Sequence, residues 1–270
     1  METILKRIGN RLVRRSEERL RRRVLRHVSD APPPPFGDDS FRATPIEEPE
    51  RAFLVRTEAS PDIAFLPRLR VLARWGWFSD RWPARFDGGA GRVAFRQGGF
   101  DVDVPSGRPS QWVFLQQKEP LPEPCALSFD VSLDSEFTEF QIAFRIRHIL
   151  RRCRFLLVDN RSLQFEIVDR GAFVRAVRAV PLRLECGRTY HVDVMFSNGV
   201  YAFRLDGRTL LSVRVDLPWI GTEPLPFGII LFEKSEARPI RASISNLTTF
   251  VAAVKSIRQS KSFNLSPRIP

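Results

Sequence analysis

"TYHVDVMFSNGVYAFRLDGRTLLSVRV", residues 189–215, decides the fold class. Tyr190, Val192, Val194 and Phe196 take alternate positions and so share one face of an extended strand. Asn198-Gly199 follows, a dipeptide suited to a tight hairpin because both central residues of a type I′ turn need positive φ. Tyr201, Phe203 and Leu205 run back on the same face. Asp206-Gly207 makes the next turn, and Leu211, Val213 and Val215 fill a third strand. The pattern predicts an antiparallel meander with one buried and one polar face.

The same rhythm extends in both directions. "ALSFDVSL" (126–133) sets Phe129, Val131 and Leu133 against Ser128, Asp130 and Ser132. "FQIAFRIR" (140–147) sets Ile142, Phe144 and Ile146 against Gln141, Arg145 and Arg147. "RFLLVDN", "SLQFEIV" and "AFVRAVRAV" continue the series, and "FGIILF" and "IRASISNLTTF" close it. Nothing between 126 and 250 carries a helical period, which excludes a parallel βαβ fold. Upstream, "RVLARWGWFSDRW" (70–82) gathers Trp75, Trp77, Phe78 and Trp82, read as packing aromatics.

The formal charge of +12 is unevenly placed. Residues 1–28 hold ten Lys/Arg against three Glu, a net +7; residues 255–270 hold four basic residues and no acid, +4. The span 29–254 balances 29 basic against 28 acidic residues, +1. A hint of phosphate partners therefore attaches to the ends and hardly to the domain. Residues 3–28 read as a basic amphipathic helix with Ile4, Leu5, Ile8, Leu12, Leu20, Val24 and Val28 near every fourth position. "APPPP" stops it. The chain is expected to divide into a basic helix (1–30), a Pro-rich linker (31–51), a β-sandwich (52–252) and a basic tail (253–270). Cys125, Cys153 and Cys186 are odd in number and far apart, so buried, reduced thiols are expected. The N-terminus lacks the apolar region of a signal peptide and no run is long enough to cross a bilayer as a helix, which makes a cytoplasmic, peripherally membrane-associated protein the expectation.

The strand order resembles the concanavalin A-like lectin/glucanase superfamily. The resemblance spans about 70–250 and rests on Tyr190, the "FRLDGRTLL" hairpin (203–211), the strand Gly228-Ile229-Ile230-Leu231 and Asn246-Leu247 in the closing strand. It implies an all-β, two-sheet antiparallel jelly-roll sandwich whose concave face or rim loops bind glycans in many members. Lectins, binding modules, glycoside hydrolases and purely structural domains share that fold, so function has to come from the site.

Hydrolases of this kind group acids on one strand. "DSEFTE" offers Asp134, Glu136 and Glu139, with Glu136 and Glu139 as the pair to test, although the order differs from the family's E-x-D-x-x-E and the stretch reads as a loop between strands. "FRIRHILRRCRF" (144–155) concentrates Arg145, Arg147, His148, Arg151, Arg152 and Arg154, either an anionic-ligand site or a solvent-facing strand paired with Asp130, Asp134, Glu136 and Glu139. The polar face of the meander presents His191, Asp193, Arg204, Arg214 and Asp216, and Trp112 and Trp219 are aromatics able to stack on a sugar. No Ser/His/Asp triad, P-loop, dinucleotide fingerprint or metal spacing is legible, and no cofactor is implied. The sequence thus points to a non-catalytic binding module for carbohydrate, with Arg145, Arg147, His191, Asp193, Arg204 and Trp219 as ligand-binding candidates. A glycoside hydrolase and a scaffold docked through its N-terminal helix are the alternatives. For residues 1–28 an anionic membrane surface or a partner helix is preferred to nucleic acid, since no nucleic-acid-binding motif follows.

Overall fold

A computed structural model describes residues 18–19, 21–34, 41–59, 92–107, 111–148, 151–169, 172–175, 179–217 and 227–252. The Trp-rich stretch 70–82, Trp219 and the tail 253–270 lie outside these residues, as does most of the expected helix.

The alternating runs form two antiparallel sheets. The first has nine strands in the order β1 (Val28–Asp30), β15 (Arg208–Val215), β14 (Val200–Leu205), β13 (Thr189–Ser197), β7 (Cys125–Leu133), β17 (Ile240–Ala252), β5 (Gly99–Val104) and β4 (Arg92–Arg96), with β2 (Phe41–Pro45) also paired to β17. The second has eight: β11 (Ala172–Arg175), β10 (Ser162–Asp169), β9 (Arg151–Val158), β8 (Glu139–His148), β16 (Gly228–Glu233), β6 (Gln111–Gln117) and β3 (Phe53–Ala59), with β12 (Val180–Pro181) on β10. The meander is as read: Val194 stands opposite Phe203 and Tyr201 opposite Val213. Asn198, Gly199, Asp206 and Gly207 all take positive φ, which the two short turns require.

The sheets are joined by aromatic side chains from their facing sides. Phe144 of the second sheet stacks on Tyr201 of the first with ring centroids 4.8 Å apart, and lies 4.9 Å from Phe196, 5.5 Å from Phe155 and 5.8 Å from Phe165. Such ring pairs add to the area they bury.

Three expectations are corrected. The segment 31–51 is not wholly a linker: β2 adds Phe41–Pro45 to the first sheet, and a short helix, α1 (Pro49–Ala52), leads into β3. Pro45 ends β2, where a missing N–H is tolerated. Nor is the end of the basic helix detached from the domain. Val24 is 1% exposed within the main core, and Val28–Asp30 pair with β15 along its edge. Finally, Cys125 and Cys153 are buried free thiols, but Cys186 is exposed in the turn before β13. Burial pushes the Cys125 thiol up to about 12 and the Cys153 thiol up as well, so neither is a thiolate at neutral pH.

Two irregularities shape the surface. In β17 the pairing with β7 shifts between Ser245 and Thr248, and Asn246 takes φ +54°. Leu247 stays in the core while Asn246 turns outward, the expected geometry of a bulge. Gly99 lies against the Ile244 carbonyl just before this bulge, where a methyl group would overlap the oxygen. Gly99→Ala is therefore expected to lower the unfolding free energy by about 1–3 kcal/mol as for other overpacked positions, read from chemical denaturation, whereas alanine at Gly107, which has open space around it, incurs only the cost of its positive φ.

Candidate functional site

Period-two alternation puts Ser128 and Asp130 of β7 and His191 and Asp193 of β13 on the outward face of the first sheet. Ser128 pairs with Asp193 and Asp130 with His191 across the ladder. The His191 Nδ1 lies 2.7 Å from Asp130 Oδ1, and its Nε2 lies 3.3 Å from Asp193 Oδ1 and 3.1 Å from Ser128 Oγ. The bulge in β17 brings the Asn246 amide to donate to Asp130 Oδ2 at 2.6 Å. The His191 backbone N–H donates to Asp206 Oδ1 at 2.8 Å, tying in the second turn of the meander. Five polar side chains from three adjacent strands are thereby fixed by one another, while His191 stays 47% and Asp130 22% exposed. The same face turns apolar two residues along each strand, where Ala126, Met195 and Ala202 are buried with Phe250 packed against them.

Partial burial pulls the His191 pKa down. The Asp130 hydrogen bond and the charges of Asp193 and Asp130 outweigh it and hold the imidazole above its ordinary value of 6.5. Ser128, His191 and Asp130 stand in the order of a nucleophilic triad, an arrangement the sequence did not disclose. Asp193 shares the same imidazole nitrogen, however, and Ser128 is only 5% exposed in mid-strand, with its backbone amide committed to the ladder. A negative charge developing beside Asp193 would be opposed by it, so the array is a hydrogen-bonded surface and not an acyl-transfer site.

The acidic pair expected for a hydrolase does not converge. Glu136 is an exposed loop residue bound to Arg183 at 3.2 Å. Glu139 opens β8 on the second sheet, where it accepts from the Gln141 amide at 2.6 Å and lies 3.6 Å from Arg154. Arg154 is 4% exposed and donates to Glu166 at 2.6 Å and to Gln141 at 2.7 Å. It is thus a buried ion-pair residue, not part of an open anion site. Arg145 departs from its expected place more sharply. The pairing of β8 with β9 breaks after Phe144, Arg145 takes φ +53°, and its side chain is buried in a pair with Glu123. Glu123 also accepts the Gly199 N–H at 3.0 Å. Of the acids expected as partners, Glu139 lies against Arg154, while the shortest contacts of the two arginines are to Glu123 and Glu166, which the sequence does not single out. Fully buried Glu233, likewise unforeseen, holds the loop before β8 through Thr138 and Arg238.

Of the remaining candidates, His191 and Asp193 are brought together. Arg204 pairs with Asp193 in the ladder but donates to the Gly207 carbonyl at 2.7 Å. Arg214 donates to the Asn198 carbonyl at 3.2 Å. Trp219 and the side chains of Arg147 and Trp112 lie outside the described residues. Asp130 and Asn246 complete the cluster; alternation alone could have placed Asp130 opposite His191, but the bulge that delivers Asn246 has no local sequence signal. Among the described residues no group of three or more His, Cys, Asp or Glu side chains is placed to hold a metal ion.

The protein is an antiparallel jelly-roll sandwich, the architecture implied by its resemblance to the concanavalin A-like superfamily. No protein-family model and no curated protein matches the chain. Solved structures similar in outline include the carbohydrate-binding module CBM66 from Bacillus subtilis, 13% identical over 59% of this chain and 91% of that one with a TM-score of 0.46. The exoplasmic/lumenal domain of VIP36 in a Ca2+/Man3GlcNAc-bound form is 10% identical over 61% and 83%, TM-score 0.43. A Bacillus subtilis protein of unknown function with a galectin-like fold is 13% identical over 60% and 88%, TM-score 0.43.

Because the folded-state pKa of His191 is raised, its contribution to stability is full below the unfolded value and disappears as pH rises through the folded one. Denaturation of wild type and His191→Gln across pH is expected to show the largest gap on the acid side of that window; a gap that widens with pH would contradict the arrangement. Arg154→Ala leaves two carboxylates without their shared cation and is expected to lower stability by about 3–5 kcal/mol, measured by urea unfolding.

Proposed function

We propose that the sandwich is a non-catalytic carbohydrate-binding domain that recognises its glycan on the outward face of the first sheet. The observation that carries this reading is the mutually fixed set Asp130, His191, Asp193 and Asn246, with the His191 side chain 47% and that of Asp130 22% exposed and the half-buried Phe250 further along the same sheet. A sugar ring presents hydroxyls at its edge and C–H groups on its faces. It is held by planar polar groups whose lone pairs are already oriented, next to an apolar surface. Fixing the polar groups before binding lowers the ordering cost that otherwise weakens polar recognition. The divergence of Glu136 and Glu139 supports binding over hydrolysis. The experiment is a glycan array probed with the full chain, followed by titration calorimetry on the oligosaccharides that bind. Asn246→Ala and Asp130→Ala, checked for unchanged melting profiles, are expected to weaken binding at least about tenfold, the loss of one or two charge-assisted hydrogen bonds. An array without any binder, or variants with wild-type affinity, would refute the proposal.

A second reading concerns the N-terminal segment. Leu25 is the one exposed large apolar residue among the described residues, at 41%, and Arg21, Arg22, Arg23 and Arg26 around it are exposed as well. This supports docking on an anionic membrane surface, where each basic residue near the headgroups contributes about 1 kcal/mol. Flotation with phosphatidylserine-containing vesicles is expected to carry the protein upward at low salt and to lose it on replacing Arg21, Arg22 and Arg26 with glutamate.

A further inference from the structure

We infer that His191 is the specificity-determining residue of the outward face: as an imidazolium it locks Asp130 and Asp193 into a template for neutral, hydroxyl-donating sugars, and the template is lost when the ring gives up its second proton. The inference rests on the glycan-binding reading of this face and adds to it the ligand class and the pH window.

The argument is geometric. Each ring nitrogen of His191 faces a carboxylate oxygen, Nδ1 that of Asp130 at 2.7 Å and Nε2 that of Asp193 at 3.3 Å. A neutral imidazole carries one N–H and can donate to one of them only. With the proton kept at Nδ1 for the shorter bond, Nε2 can accept from the Ser128 hydroxyl at 3.1 Å, but the Asp193 carboxylate at 3.3 Å is left facing a lone pair without a ring donor. Asp193 has a side chain only 8% exposed, so it cannot turn freely into water. The doubly protonated ring satisfies both acids at once, and the shift of its pKa above the ordinary value agrees with this.

The charged groups facing the ring come from every neighbouring element. Asp130 lies on β7 and Asp193 on β13 itself, while Asp206, in the turn between β14 and β15, accepts from the His191 backbone N–H. Arg204 on β14 directs its donors to the Gly207 carbonyl. From β17 comes the uncharged amide of Asn246. Two carboxylates thus face one imidazolium, and a third is held at the backbone N–H of the same residue. A sugar hydroxyl finds acceptors held in place, whereas the carboxylate of a uronic or sialic acid meets like charge. Deprotonation adds to the excess of negative charge and frees Asp193, which removes one side of the template.

The test uses the full chain, with neutral oligosaccharides (manno-, gluco- and xylo-series) and their acidic counterparts titrated at about pH 5.5 and about pH 8.5. A parallel NMR titration follows the His191 ring nitrogens without ligand. Neutral sugars are expected to bind about tenfold more weakly at the higher pH, the worth of one hydrogen bond to a charged group, and acidic sugars to bind more weakly than neutral ones at both. The ring should titrate above 6.5. In Asp193→Asn, whose amide can donate to a neutral Nε2, binding should weaken at low pH and its pH dependence should flatten, with the ring titrating lower; a merely structural histidine would give no such flattening. Binding that is flat with pH in wild type, acidic sugars that bind as tightly as neutral ones, or a ring that titrates at or below its ordinary value overturns this inference alone. No binding at any pH overturns the reading beneath it as well.

Discussion

The rest of the structure depends on the contact between Phe144 and Tyr201. Phe144 touches two aromatic partners on its own sheet, Phe155 and Phe165, and two on the opposite one, Phe196 and Tyr201. Rings meeting at this point commit the inward faces of β8, β13 and β14 to the core, and a slip of any one of these strands by one residue within its own sheet would turn its inward side chains outward. Truncating such a side chain in a filled core costs about 3–5 kcal/mol, a large fraction of a domain's net stability. The outward face inherits its order from this inward one: because Val192 and Val194 are fixed inside, His191 and Asp193 have no choice but to stand outside, opposite Asp130 and Ser128.

Two breaks in the alternation have different consequences. At Arg145 the left-handed backbone turns a guanidinium into the end of the sandwich, where Glu123 neutralises it. Such a pair ties strand to loop and is strongly destabilising to break, although an apolar replacement of both partners could do as well. At Asn246 the left-handed residue lies in a bulge on the exposed side, and its amide holds a carboxylate that remains accessible. The first is internal to the fold. The second turns a plain strand face into an arranged set of acceptors.

The sequence made the meander legible because its turns carry Asn-Gly and Asp-Gly and its strands alternate without interruption. The inward set from Tyr190 to Val215 lies in the core as read, with Leu205 partly buried at its edge. It made half of the site legible, since His191 and Asp193 are two apart on one strand. The rest came from pairings across long separations that periodicity does not encode. Arg154 lies thirteen residues from its partner Gln141, and Asn246 is 116 residues from Asp130. The basic cluster of 144–155 misled for the same reason. A run of arginines reads as a solvated face until the strand register buries two of them against glutamates elsewhere. The Pro-rich, acidic composition of 31–51 reads as linker throughout, whereas Pro45 ends β2 without interrupting the ladder to β17.

The central claim is that the sugar-binding surface is the outward face of the first sheet around Asp130, His191 and Asn246. Chemical-shift mapping of the isotope-labelled full chain with a saturating pool of neutral oligosaccharides tests it most directly. The account predicts shifts concentrated in the amides of 128–130, 191–193 and 245–248 together with the Asn246 side-chain amide. Shifts confined to β8, β9 and β10 around Arg154, or none at all, would contradict it.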